Sequence, residues 1–194
     1  MSTSHEKTPQ QKLDVMLDAF QAANKTSMTD PGWELRELVE KTPELKASFL
    51  KQIDQGHLDG FQPLDRLGLS GAYIPDTKKM EVSIGQLDKA ANSDPGTKRR
   101  AENSLRFTLA HEIDHARTHD VSMAEKKQFY KNVEHIASSP NTRSHDYTAV
   151  IKTFNDQQRA HEVNTEIAGF NILADYVRKQ NPHASLEIAC WCMP

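Results

Sequence analysis

Hydrophobic positions three and four residues apart dominate this chain, and an alternation of period two occurs in one short stretch. From Gln10 to about Ala23, the residues Leu13, Met16, Leu17, Phe20 and Ala23 make an apolar stripe, which predicts a helix with one buried face. Asp30-Pro31 reads as an N-cap followed by proline at the first helical position. The helix it opens carries Trp33, Leu35, Leu38 and Val39 and should stop before Pro43. A third helix starts there, packs Leu45, Phe49, Leu50 and Ile53, and ends at Gly56. The polar residues 1–9, closed by Pro9, read as a disordered leader.

The period-two stretch is Met80, Val82 and Ile84 alternating with polar residues, the mark of a half-buried strand. With the turn-rich Pro75-Asp76-Thr77-Lys78 before it, segment 68–85 is predicted to be a β-hairpin. Asp94-Pro95-Gly96 marks a loop, and Lys98-Arg99-Arg100 reads as the solvated start of a helix over 98–118. In that helix Leu105, Leu109, Ile113 and Ala116 are apolar at helical spacing. A further helix is expected from Ser122 through Phe129 and Val133 to about Ser138-Ser139-Pro140. The polar loop Asn141–Asp146 and another helical stretch follow, and then a long helix over 156–180 that stops before Asn181-Pro182. The tail Ala184–Ile188 reads as a short helix. The fold class is therefore α+β, mostly helical with a small antiparallel sheet. One domain spans 10–194, and residues 10–60 form its helical N-terminal part.

Composition narrows the function classes. The net charge is −3 with both signs mixed, so no basic face points to nucleic acid. No apolar run approaches a membrane span, and the N-terminus lacks the apolar centre of a signal peptide, which suggests a soluble, cytoplasmic chain in the cell that makes it. Cys190 and Cys192 are too close for an easy disulfide, and with His183 they fit no common metal site. The abrupt stop at Cys192-Met193-Pro194 suggests a domain cut from a longer chain.

The candidate chemistry lies in Thr108-Leu-Ala-His111-Glu112-Ile-Asp114-His115-Ala116. Residues four apart share a helix face, so His111 and His115 can take two corners of a tetrahedral zinc site. Glu112, next to the first of them, is placed to act as a base toward the hydrolytic water. This is the H-E-x-x-H arrangement. A catalytic zinc needs a third protein ligand. The layout with a third histidine six residues after the second is excluded, because Thr118 and Val121 hold its glycine and histidine places. That leaves Glu162 and Glu166, one turn apart on the long helix. Gly169 in the same helix indicates a close helix–helix contact, since an isolated helical glycine costs about 1 kcal/mol and has a packing reason. His119 reads as a helix-end histidine and Asp114 as solvated. Candidate oxyanion donors are Tyr147, His145, Tyr130, His135 and His161, with Tyr147 named first.

His111–His115 followed by Glu162-x-x-x-Glu166 resembles the gluzincin pattern H-E-x-x-H … E-x-x-x-(D/N/E). Glu162 through Asn171, continuing to Gln180-Asn181-Pro182, is similar to the E-x-x-x-E-I-x-G-[WF]-N run of zincin domains in bacterial polymorphic toxins and secreted effectors. The likeness covers about residues 70–185 and none of the first 60. It implies a zincin-like metallopeptidase fold, with Glu162 as third zinc ligand and Glu166 orienting His111 from outside the ligand set. It also implies that the hairpin, with Gly71-Ala72-Tyr73-Ile74-Pro75-Asp76, receives the substrate backbone.

The resulting expectation is a zinc metallopeptidase, with Zn2+ on His111, His115 and Glu162 and with Glu112 catalytic. Its partners would be a protein or peptide substrate and, for a toxin or effector delivered by a specialised secretion system, a cognate immunity protein. The alternatives are a non-catalytic zincin-fold adaptor, a housekeeping cytoplasmic peptidase, and a helical interaction protein carrying the motif by accident.

Overall fold

The computed structural model describes residues 6–64, 66, 69–140 and 145–183. Three helices open the chain: α1 (Pro9–Asn24), α2 (Pro31–Glu40) and α3 (Pro43–Asp54). Thr8 caps α1 in a capping box with Gln11, so Pro9 is the first residue of a helix and not the end of a leader. Residues 1–5 of that expected leader lie outside the described residues. Leu13, Leu17 and Phe20 bury the α1 stripe, whereas Ala23 is exposed. Asp30 caps α2 through the Trp33 N–H at 3.1 Å. The Trp33 side chain does not join the core as expected; the residue is 48% exposed.

The sheet departs from expectation in one respect. β1 (Gly60–Pro63), β2 (Gly71–Ile74) and β3 (Lys79–Val82) lie in the order β1-β3-β2. The predicted hairpin is present, with Tyr73 paired to Met80 across β2 and β3. β1 runs parallel to β3, however, so the sheet is mixed and not antiparallel. A four-residue strand flanked by glycine and proline gives no local pattern, and its partner is distant in sequence.

Ile84 ends the alternation seen in the sequence, but it begins α4 (Ile84–Asn92), because the Ser83 hydroxyl accepts from the Gln86 N–H and caps a helix there. Likewise Asp94-Pro95 is not a loop. Asp94 accepts from the Gly96 and Thr97 N–H groups and opens α5 (Pro95–Arg117). The remaining helices are α6 (His119–Ala137) and α7 (Thr148–Gln180). The two helical stretches expected between residues 148 and 180 are one helix of 33 residues. The expected tail helix lies outside the described residues.

α5 runs through the middle and packs against α3, α4, α7 and β2. Its predicted stripe of Leu105, Leu109, Ile113 and Ala116 is buried, in one core cluster with Leu13, Leu35, Phe49 and Met80. The three N-terminal helices therefore complete the core that carries the motif helix. The buried Arg106 guanidinium is fixed by Thr42 Oγ1 (3.1 Å), Asn103 Oδ1 (3.2 Å) and the Tyr176 ring (3.8 Å). No fully buried residue occurs among the described residues between His119 and Thr165. There α6 and the first half of α7 pair with each other, and Phe129 stacks on Phe154 at 4.5 Å. No helix among the described residues is long and apolar enough to cross a membrane.

Candidate metal centre

Helix periodicity puts His111 and His115 on the face of α5 that meets α7, and a close crossing of the two helices brings the acid to them. The helices run antiparallel: Gly169 meets Phe107, and Thr165 and Glu166 meet His111. Glu162 reaches both histidines. A Cβ at Gly169 would lie 3.0 Å from the Phe107 carbonyl oxygen and 3.1 Å from its ring. The packing reason expected for this glycine is thus α5 itself. Gly169→Leu should destabilise the fold by about 1–3 kcal/mol, because the overpacked neighbour is backbone. Equilibrium urea unfolding checks this, and wild-type stability in that variant would refute the crossing. Thr165, fully buried, returns its hydroxyl to the Glu162 carbonyl at 2.9 Å and stiffens the turn that presents the acid.

Three ligand atoms converge. His111 Nε2 lies 3.1 Å from His115 Nε2, and Glu162 Oε2 stands 3.6 and 3.7 Å from the two nitrogens. Three lone-pair atoms held this close repel unless a proton or a cation lies among them. Together these residues could hold one metal ion. Burial pulls the His115 pKa below the ordinary histidine value, against the opposing carboxylates of Glu112 and Glu162. That favours the neutral imidazole, which is the form able to ligate. The Glu162 side chain is 62% exposed, so the centre opens to solvent on its side. Glu166 Oε2 lies 3.4 Å from His111 Nδ1, a buried nitrogen without a hydrogen bond in this arrangement. A small rotation of either group would complete the bond. Glu162 thus stands at the Nε2 atoms of both histidines, and Glu166 stands on the far side of the His111 ring.

Glu112 points the other way, toward the sheet. Its Oε2 accepts the Tyr73 backbone N–H at 2.7 Å. β2 is an edge strand, and in an antiparallel pair alternate residues turn both backbone groups outward. Ser70 accepts from Ser83 on the β3 side, so Gly71 and Tyr73 face away from β3, toward α5. Gly71 allows the approach, because a Cβ there would come within 2.9 Å of Thr108 Cγ2 and 3.1 Å of the Glu81 carbonyl oxygen.

The side chains around this core were largely missed by sequence reasoning. The Tyr73 hydroxyl donates to the His57 carbonyl at 2.8 Å and meets His119 Nδ1 at 3.1 Å. Burial and the nearby Asp59 and Asp120 charges push the Tyr73 pKa up to about 12. His119, read as a helix-end histidine, follows the end of α5 but opens the next helix. It is buried at the first position of α6, and that burial lowers its pKa, with His57 and Lys78 adding to the effect. His161, on α7, pairs with Glu125 of α6 at 2.8 Å. One signal was available: the repeated spacing of four through His111, His115 and His119.

Two expectations fail. Tyr147 is the N-cap of α7, fifteen residues before Glu162. At 1.5 Å of rise per residue it stands about 22 Å away along the helix, too far to meet a carbonyl held at the centre. His145 lies beside Tyr147 at that same end. Asp114 is not solvated: its side chain is 11% exposed and makes two bonds to the Arg117 guanidinium, at 2.5 and 3.0 Å. Cys190 and Cys192 lie outside the described residues. No family model, curated protein or solved structure matches this chain.

Proposed function

We propose that this protein is a zinc-dependent peptidase of the gluzincin kind. The observation that carries the reading is the convergence of His111 Nε2, His115 Nε2 and Glu162 Oε2 beside a carboxylate, Glu112, that is not part of the triad. Ligand atoms at the corners of a tetrahedron around zinc are about 3.3 Å apart, given metal–ligand distances of about 2.0–2.1 Å. The separations of 3.1 to 3.7 Å fit that spacing without rearrangement of the backbone. Two imidazoles and one carboxylate are a donor set suited to zinc that leaves a position open.

Bound there, zinc would supply Lewis acidity to the scissile carbonyl and to the attacking water. Glu112 takes the proton from that water and returns it to the leaving amine. The Tyr73 N–H fixes the carboxylate at one oxygen, so the other is available for the proton. Glu166 restrains the His111 ring from behind. The outward edge of β2 lies alongside Glu112, and an extended peptide can align only at the backbone groups there that Glu112 does not occupy. The likeness of Glu162–Asn171 to bacterial toxin and effector zincins extends the proposal to a role. In that role the chain cuts a protein or a cell-wall peptide of another cell and is restrained at home by an immunity protein.

Incubating the purified chain with a mixed peptide library tests the activity. Cleavage is expected, together with its loss on treatment with a chelator and its return with about one equivalent of zinc. Cleavage that survives chelation would refute the metal mechanism.

A further inference from the structure

A cleft of about 180 Å³ opens directly beside His115 and Glu162. It is bounded by Tyr73 and Pro75 from the end of β2, by Thr118, His119 and Ser122 from the α5–α6 junction, and by Gln158 and His161 from α7. Ligand pockets for whole small molecules run to about 300–1,000 Å³, so this space suits one side chain of a longer substrate.

Its walls define what that side chain carries. The Tyr73 hydroxyl has one hydrogen, and the His57 carbonyl at 2.8 Å can only accept it. The 3.1 Å contact with His119 must then run from His119 Nδ1–H to the tyrosine oxygen. That fixes the tautomer and leaves His119 Nε2 as a bare acceptor on a residue lining the cleft. Gln158 Nε2 has the opposite need. The residue lines the cleft, and this atom is a buried donor without an acceptor among the described residues, which a turn of the side-chain amide brings to the cleft. An unpaired buried donor is costly, and an incoming oxygen offsets part of that cost. The cleft offers no lysine or arginine to a carboxylate, and its only acid, Glu162, belongs to the metal triad. His161 Nε2 is already paired with Glu125. A fully apolar side chain would leave Gln158 and His119 unsatisfied.

We infer that this cleft is a substrate subsite selective for a carboxamide side chain, glutamine or asparagine, next to the bond that is cut. The amide oxygen accepts from Gln158 Nε2, and the amide nitrogen donates to His119 Nε2. Tyr73 acts through His119 as a positioning residue that keeps its acceptor turned to the ligand. The peptide-cleavage part rests on the peptidase reading above; the recognition part does not.

The test uses peptides that differ only in glutamine, asparagine, glutamate, leucine or lysine at each position flanking the cleaved bond. Two quantities are measured in parallel: kcat/KM with the zinc-loaded parent chain, and affinity for the Glu112→Gln chain, which binds without turnover. The parent should prefer glutamine or asparagine over leucine and glutamate by about tenfold or more at one flanking position, the worth of one or two hydrogen bonds. Gln158→Leu should shift that preference toward leucine, and His119→Phe should reduce it. A flat preference, a preference for leucine or a charged residue, or an unchanged preference in Gln158→Leu would overturn the inference. If no peptide is cleaved, the peptidase reading fails alone. The affinities then decide the subsite: tighter binding of the carboxamide peptides sustains it, and equal binding overturns it.

Discussion

Replacing Glu112 with glutamine should lower kcat/KM for peptide hydrolysis by about 10²–10⁴-fold while metal content stays at the parent value. The substitution keeps the shape and the hydrogen bond, since a glutamine oxygen can still accept the Tyr73 N–H that lies 2.7 Å from Glu112. What it removes is the ability to take a proton. Glu112 is outside the converging triad, so the ligand set of His111, His115 and Glu162 is untouched. Assaying cleavage and zinc on the same preparation separates the two roles. Normal turnover by Glu112→Gln would sink the mechanism, and loss of zinc with it would make Glu112 a ligand. In a cell expressing the chain, toxicity relieved by this one change would connect the chemistry to the effector role.

Metal affinity should fall much further in Glu162→Ala than in Glu166→Ala. Loss of a partner that only orients a ligand costs about 10–100-fold in affinity. Glu166 faces Nδ1 of His111, whereas Glu162 faces Nε2 of both histidines, so only Glu162 can share an ion with them. Competition with a chromogenic chelator gives the two dissociation constants. Glu166→Ala should weaken binding within that 10–100-fold range and Glu162→Ala beyond it. The reverse order would exchange the two roles. Equal, negligible effects would show that the two histidines bind without an acid from α7.

Local pattern carried far in this chain because its helices announce themselves at their ends. Thr8, Asp30, Ser83 and Asp94 each cap a helix with a side-chain oxygen. Reading Asp94-Pro95 by the rule that worked for Asp30-Pro31 would have placed the start of α5 correctly. Ser83 was harder, since Val82 and Ile84 continue a strand-like alternation across the very residue that begins a helix. The pair His111 and His115 and the neighbouring Glu112 were legible for the same local reason: a spacing of four on an amphipathic helix fixes which side chains stand together.

Position across the chain was another matter. Tyr147 looked close to the site only because it lies between the motif and Glu162 in sequence. A rigid 33-residue helix carries it away instead. Tyr73, from the strand before the motif, is the tyrosine that lies against the site. β1 was invisible because its pairing with β3 is non-local, and His57 reached the Tyr73 hydroxyl through a backbone carbonyl, which no residue type advertises.

The sequence by itself determined most of the helices, though not α4, together with the hairpin and the side chains on α5 that can face a metal, because caps and periodicity act within a few residues. Only the tertiary structure decided that Glu162, and not Glu166, meets both histidines, and that Glu112 is tied to β2. It alone formed the cleft beside them from β2, α6 and α7. Those arrangements depend on two glycines, Gly169 and Gly71, that let backbones approach to contact distance. Such an approach is a property of packed surfaces and not of any one segment.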